Sequence, residues 1–262
     1  MSQGDHNPVF YIGGGWGYGL GMQDDRWQGL RAEARAALEL RDYSKGDLAD
    51  RVAGPGVGAG ELCDLEGKPD WWIPGVEVFG RKIFQQRQRG HFGEFAREGQ
   101  GCLGRIGMWP AQWATAMTFA RTAKGFHIHP PSIPDGVKPE DWFRRLFVEE
   151  PENYALRPYR EEQWDAMFFI RGTCEMFLID ERAGMPRRRM RFVIEGDDRP
   201  GPDNAGVVIP AGVAHALQSI SSTDLIMVYG TSTTFEPANE GRIQSGVEAA
   251  TIPSEWTAYF HG

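Results

Sequence analysis

Cysteine is scarce in this chain. Cys63, Cys102 and Cys174 are the three among 262 residues, widely spaced and odd in number. That excludes a disulfide framework and suits reduced thiols in a cytoplasm. Each thiol reads as a small buried hydrophobe. No run of eighteen apolar residues occurs, so no membrane-spanning helix is expected. The first basic residue is Arg26 and no apolar run precedes it, which predicts no secretory signal in this stretch. Cationic charge is also short: 28 Lys and Arg against 36 Asp and Glu, net −8. Nothing would then draw in phosphates non-specifically, so a general nucleic-acid or membrane-surface binder is excluded. A local basic pocket for one phosphorylated ligand stays compatible. The expectation is a soluble, cytoplasmic globular protein.

What the chain does have is 34 glycines and 17 prolines, with 41% hydrophobic and 12% aromatic residues. Enough apolar surface is present for a core, cut into short segments by turns. Residues 1–70 read as an extension: a Gly-rich run over 13–21, one helix from Asp24 or Asp25 to about Arg41, then an irregular linker from Asp47 to Asp70. From Trp71 to Gly262 the pattern is β. Candidate strands are Arg81–Gln86, Trp113–Phe119, Met167–Ile170, Glu175–Ile179, Met190–Ile194, Val207–Ile209, Ala214–Ile220 and Leu225–Tyr229. Met190, Phe192 and Ile194 share one face, as do Leu225, Met227 and Tyr229. Many short strands between turns predict a sandwich or closed barrel. An insertion at about 130–163 interrupts them, holding a short helical piece over Pro139–Phe147; its place beside the histidines below makes it a candidate lid.

Of six histidines, two form His127-Ile128-His129. On a strand, residues i and i+2 point to one face, so both imidazoles are expected to converge on one point, as metal sites require. Asp165 is followed by six residues and Gly172, and Pro210-Ala211-Gly212-Val213-Ala214-His215 is a turn ending in a third histidine. Together these resemble the two motifs of the cupin superfamily, H-x-H with an acidic residue and a glycine, then P-x-G-x-x-H. The resemblance implies a mainly β cupin fold, a double-stranded β-helix or jelly-roll barrel, with an N-terminal helical and irregular extension. It also implies a divalent-metal site of His127, His129, Asp165 and His215, suited to Fe, Mn, Ni or Zn, with no organic cofactor.

From about Arg81 to Ile243 the chain further resembles nucleotide-sugar 3,5-epimerases of the dTDP-4-dehydrorhamnose type. Arg89-Gly90-His91-Phe92-Gly93-Glu94 is similar to R-G-x-F-x-E, and Lys124-Gly125-Phe126-His127 to R-G-L-H. Gln112 stands fifteen residues before His127. Ile209-Pro210-Ala211-Gly212-Val213-Ala214-His215 is similar to I-P-E-G-F-A-H. Tyr229, Pro237 and Glu240-Gly241-Arg242-Ile243 resemble the closing Y…P…E-G-S-I stretch. This resemblance implies an epimerase or isomerase of a nucleotide-linked 4-keto-6-deoxy sugar, acting as a homodimer. His127 would take a proton beside the ketone and Tyr229 would return one on the opposite face. Arg89, Glu94, Gln112 and Lys124 would hold the nucleotide diphosphate, with Phe235 beside Thr234 for the base.

Three departures bear on the chemistry. Asp165 stands where the family has an active-site lysine, and a bare carboxylate there would repel the charge that builds on the ketone oxygen. The family's H-x-Q is His127-x-His129. The W-N-D text that supplies a carboxylate to the base histidine is missing after Ile243. A metal at Asp165 would repair the first departure, but a ligating His127 could not also be a free base, leaving Tyr229, Glu161, Glu162 or metal-bound hydroxide. Two alternatives follow from the same residues. One is a metal-dependent oxygenase, lyase or isomerase of another small polar substrate; the other is a non-catalytic sugar-binding cupin.

Overall fold

The computed structural model describes residues 58–151, 162–242 and 253–260. The helix expected over 24–41, the Gly-rich run and Glu161 lie outside them. A short helix α1 (Ala59–Cys63) precedes strand β1 (Glu77–Gly80) and the hairpin β2 (Ile83–Gln85) and β3 (His91–Gly93). Helix α2 (Gly101–Ile106) leads to β4 (Gln112–Thr118) and β5 (Ala123–Ile128). Helix α3 (Pro139–Arg144) runs on into a π turn, Arg145–Glu149. Then come β6 (Asp165–Arg171), β7 (Thr173–Asp180), β8 (Arg189–Glu195), β9 (Ala205–Ile209), β10 (Val213–Ser219), β11 (Leu225–Thr231) and β12 (Gly241–Arg242). Among the described residues no helix is long and apolar enough to cross a membrane.

Two five-stranded sheets have the orders β1-β9-β6-β11-β4 and β12-β5-β10-β7-β8, and every pairing within them is antiparallel. Strands β4 to β11 alone give 4-11-6-9 opposite 5-10-7-8, the strand order of a jelly roll. The fold is therefore a mainly β jelly-roll barrel, with β1 and β12 each adding a strand at a sheet edge. Period-two alternation builds its interior. Met167 and Phe169 of β6, Met176 and Leu178 of β7, Met190, Phe192 and Ile194 of β8, and Leu225 and Met227 of β11 pack in one core. Each such side chain contributes about 1.5–3 kcal/mol on burial.

The outer faces are covered as well. Phe143, Leu146, Phe147 and Trp164 join Leu103 and Ile106 of α2 against Phe168 and Val208. On the other sheet, Trp256 and Phe260 cover Phe126, Ile128, Phe177 and Ile179. Two expectations change here. The segment expected as a linker from Asp47 to Asp70 contains α1, whose Ala59 and Leu62 enter the barrel core with Trp71, Trp72 and Ile73. The described part of the insertion is no lid: its aromatic face packs outside the barrel, because Phe143, Leu146 and Phe147 find their apolar partners there. Cys102 and Cys174 are buried and Cys63 half-buried, and burial raises their thiols to about 12 for Cys102 and about 11 for Cys63.

Candidate active site

The site grows from inward-facing positions near one end of the barrel. Tyr229 on β11 and Asp165, the first residue of β6, lie on one sheet; His127 on β5 and His215 on β10 lie on the other, with His127 directly opposite His215 in register. Gln112, Thr231, Asp165 and Ile209 form one row across β4, β11, β6 and β9. The turn before β10 fixes His215. Gly212 sits at φ +82°, and a Cβ there would meet Arg182 Cγ at 2.5 Å, so glycine is required. Its N–H donates to the carbonyl of His129 at 2.9 Å, tying the two histidine segments together.

The three histidines divide into two groups. His127 Nδ1 lies 2.9 Å from Glu240 Oε1, and Arg242 Nη1 is 3.3 Å from His127 Nε2. A guanidinium only donates, so Nε2 carries the lone pair and Nδ1–H donates to Glu240. The Glu240 carboxyl is held below its usual range, first by that hydrogen bond, against burial, with His127 and Arg242 adding to it. The second group is buried: Asp165 Oδ2 is 3.3 Å from both His129 Nε2 and His215 Nε2, and Gln163 Nε2 donates to Asp165 Oδ1 at 2.9 Å. His127 thus does not join the set expected for it. Its ring nitrogens are taken by Glu240 and Arg242, although its ring lies 5.9 Å from that of His215.

Charges inside this second group offset one another. Burial alone would raise the Asp165 carboxyl, but His129, His215 and Gln163 hold it well below the ordinary carboxylate range. Burial would lower His129, yet Asp165, the Asn239 carbonyl and Glu240 raise it. Asp165 is accordingly not the bare anion that its place in the sequence suggests. Tyr229 is raised by burial, then by Asp165 and Glu240, so its phenol keeps its proton through neutral pH.

His215 goes the other way, lowered to about 4 by burial against the pull of Asp165, with His129 and His127 adding repulsion. Its folded pKa lies below the unfolded 6.5, so the unfolded chain binds the extra proton between about pH 4 and 6.5. Stability from this residue is present above 6.5 and lost as pH falls through that window. In metal-free buffer, a His215→Gln variant is expected to show a flatter dependence of melting temperature on pH from 6.5 to 4 than the parent. Parallel curves would contradict this.

Other expected residues are scattered more widely. Gln112 Oε1 accepts from the backbone N–H of Phe235 at 2.9 Å, so these two do meet, with Phe235 59% exposed. Lys124, its amine lowered by burial, donates to the Met117 carbonyl at 2.7 Å. Arg89 and Glu94 lie on and beside the β2–β3 hairpin, where Glu94 pairs with Arg97 at 2.8 Å. Glu162, considered above as a base, is committed: its carboxylate accepts from Trp164 Nε1 at 3.0 Å and Ser132 N at 2.6 Å. Two residues escaped the sequence reading. Gln163 carries no motif. Glu240 begins the E-G-x-I stretch and supplies the carboxylate sought after Ile243.

No protein-family model matches the chain. The spore coat polysaccharide biosynthesis protein SpsL of Bacillus subtilis (strain 168) is 24% identical over 190 residues, which cover 72% of this chain and 99% of that protein. Among solved structures, ChmJ, a 3′-monoepimerase from Streptomyces bikiniensis in complex with dTDP-quinovose, has a TM-score of 0.46 at 21% identity, covering 64% of this chain and 69% of that one. NovW, a 4-keto-6-deoxy sugar epimerase of Streptomyces spheroides, has a TM-score of 0.47 at 19% identity, covering 65% and 70%. The rmlC epimerase of Mycobacterium tuberculosis has a TM-score of 0.47 at 18% identity, covering 67% and 71%.

Proposed function

We propose that the protein is an epimerase or isomerase of a nucleotide-diphosphate-linked 4-keto-6-deoxy sugar. The observation that carries this reading is the His127–Glu240 pair at 2.9 Å, on the wall of a jelly-roll interior whose other wall bears Tyr229. Inversion at a carbon needs a base on one face and an acid on the other. Once Arg242 Nη1, 3.3 Å away, gives up the His127 Nε2 lone pair to the substrate, Nε2 takes the proton from a carbon beside the ketone, and Glu240 steadies the imidazolium that forms. The electron pair moves into the enolate. Tyr229 then returns a proton to the opposite face as the carbonyl re-forms. The ordered run of motifs from Arg89 to Glu240 supports the substrate class, as does a relative named for polysaccharide biosynthesis.

In this reading Gln112, Lys124 and Phe235 bind the nucleotide diphosphate, with Lys124 leaving the Met117 carbonyl to do so. Arg89 and Glu94 complete the site of a partner in a cytoplasmic homodimer. Phe84 and Phe92 on their hairpin are 56% and 52% exposed, and β4 is a sheet edge, among the described residues, that exposes Trp113 and Met117. Such an edge is commonly covered by another chain.

Turnover tests the reading. Mixed with a nucleotide-linked 4-keto-6-deoxyhexose, the protein is expected to yield an epimer at a carbon flanking the ketone, resolved by proton NMR couplings. Ligand-induced stabilisation with an unchanged spectrum at stoichiometric protein would point instead to a binding module.

A further inference from the structure

We infer that Arg242 gates the His127 base: its guanidinium caps the lone pair in the free protein and leaves it for the diphosphate of the substrate. The inference rests on the epimerase reading. It starts from an obstacle in the site. The lone pair of His127 Nε2, which the reaction needs, faces Arg242 Nη1 at 3.3 Å. Arg242 Nη2 donates to Glu240 Oε1, also at 3.3 Å, so one cation bridges both members of the dyad. A guanidinium there blocks the approach of a substrate carbon. It also opposes the positive charge that proton removal would place on the ring.

Strand pairing puts Arg242 in this position. β12 pairs with β5 so that Arg242 stands opposite His127 and Gly241 opposite Ile128. Ile128 packs outside the barrel with Trp256, so Arg242 and His127 share the inner face. A Cβ on Gly241 would lie 2.9 Å from Ile128 Cγ2 and 3.0 Å from Trp256 Cζ3, so the strand backbone is held close against β5. Release of the base is then a rotation of one side chain, not a movement of β12. That side chain is 44% exposed, and both contacts are at the long end for hydrogen bonds, one of them to an uncharged ring. The residue is also a departure in sequence, since the E-G-S-I stretch that this segment resembles has serine there.

A diphosphate is the ligand chemistry that would draw Arg242 away. Two phosphoryl groups offer several anionic oxygens, and a guanidinium binds such oxygens in pairs, more strongly than it binds a neutral imidazole. Lys124, read above as a diphosphate ligand, lies three residues, about 10 Å, along the same strand. The register shift between His215 and Leu217 sets His127 opposite the first and Lys124 opposite the second, so both point into the barrel. Phosphates lying between Lys124 and His127 are within reach of Arg242. Recognition of the diphosphate is thereby coupled to exposure of the base: a keto sugar without it leaves His127 capped.

The test compares two substrates in deuterium oxide, a nucleotide-linked 4-keto-6-deoxyhexose and the methyl glycoside of the same sugar. In Arg242→Ser, KM for the nucleotide-linked sugar is expected to rise by about 10–100-fold, the worth of a charge-assisted hydrogen bond. Exchange into the methyl glycoside should instead become faster, by about 3–10-fold, because no hydrogen bond to the base has to break. Arg242→Lys keeps the charge without the fork and should fall between. A merely structural arginine would slow both substrates together, and a phosphate ligand that gates nothing would leave the glycoside rate unchanged; either result overturns the gate. The state of His127 is read separately, from the Nε2 resonance of ¹⁵N-histidine-labelled full-length protein. Inorganic pyrophosphate should move it in the parent toward the position it already holds in Arg242→Ser, where pyrophosphate should move it no further. An unmoved resonance in the parent overturns the gate as well. If circular dichroism shows that Arg242→Ser does not fold, the parent resonance and Arg242→Lys decide. Exchange into the nucleotide-linked sugar without these effects keeps the epimerase and discards the gate. A moving resonance in a parent that exchanges neither substrate keeps the anion-driven release and discards the epimerase.

Discussion

Replacing His127 with glutamine is expected to slow proton removal from the substrate by about 10²–10⁴-fold, the usual worth of a positioned general base. The loss should fall on kcat, because His127 touches the reacting carbon in this account and the nucleotide is held elsewhere. Its side chain is 28% exposed, so the fold should survive with little change in melting temperature. Glu240→Gln makes a finer comparison. The amide keeps the shape and still accepts from Nδ1–H, but it no longer balances a charged ring, so a smaller kcat loss is expected with KM little altered. If both variants turned over like the parent, the dyad would be a structural pair only.

Tyr229→Phe should separate two steps that His127→Gln removes together. Proton removal on the His127 face continues, so deuterium still enters the substrate from solvent. Inversion, which needs the phenolic proton on the opposite face, should fall by about 10²–10⁴-fold. The pH dependence follows from the direction of the Tyr229 shift. Burial, Asp165 and Glu240 raise the phenol above its ordinary value of 10.0, so inversion should not lose its acid below that pH. In a protein that only binds sugars, the same variant would leave ligand binding as it was and move no rate.

The barrel was legible where alternation was clean. Met190, Phe192 and Ile194, and Leu225, Met227 and Tyr229, all face the core as their spacing demands. Strand β5 was harder, since Lys124 and Gly125 break its apolar pattern and only H-x-H marked it. Helix α1 hid behind its glycines, although Gly60 is needed there: a Cβ would lie 2.8 Å from the Pro202 carbonyl oxygen. The histidines and Asp165 were found from motifs, but their grouping was not. Period two places His127 and His129 on the same face, whereas the partner of each ring nitrogen depends on chain far away. Glu240 reaches His127 through the β12–β5 pairing, across more than a hundred residues. Gln163 arrives from the end of an insertion whose body packs elsewhere. Long-range pairing of this kind leaves no local signal to read.

The central claim is that His127, steadied by Glu240, removes a proton from the carbon beside a ketone. Incubation in deuterium oxide with a nucleotide-linked 4-keto-6-deoxyhexose, followed by mass and NMR analysis, tests it most directly. The account predicts deuterium at a carbon flanking the ketone, acquired with the parent protein and with Tyr229→Phe but not with His127→Gln. No incorporation with stoichiometric parent protein, or equal incorporation in His127→Gln, would contradict it.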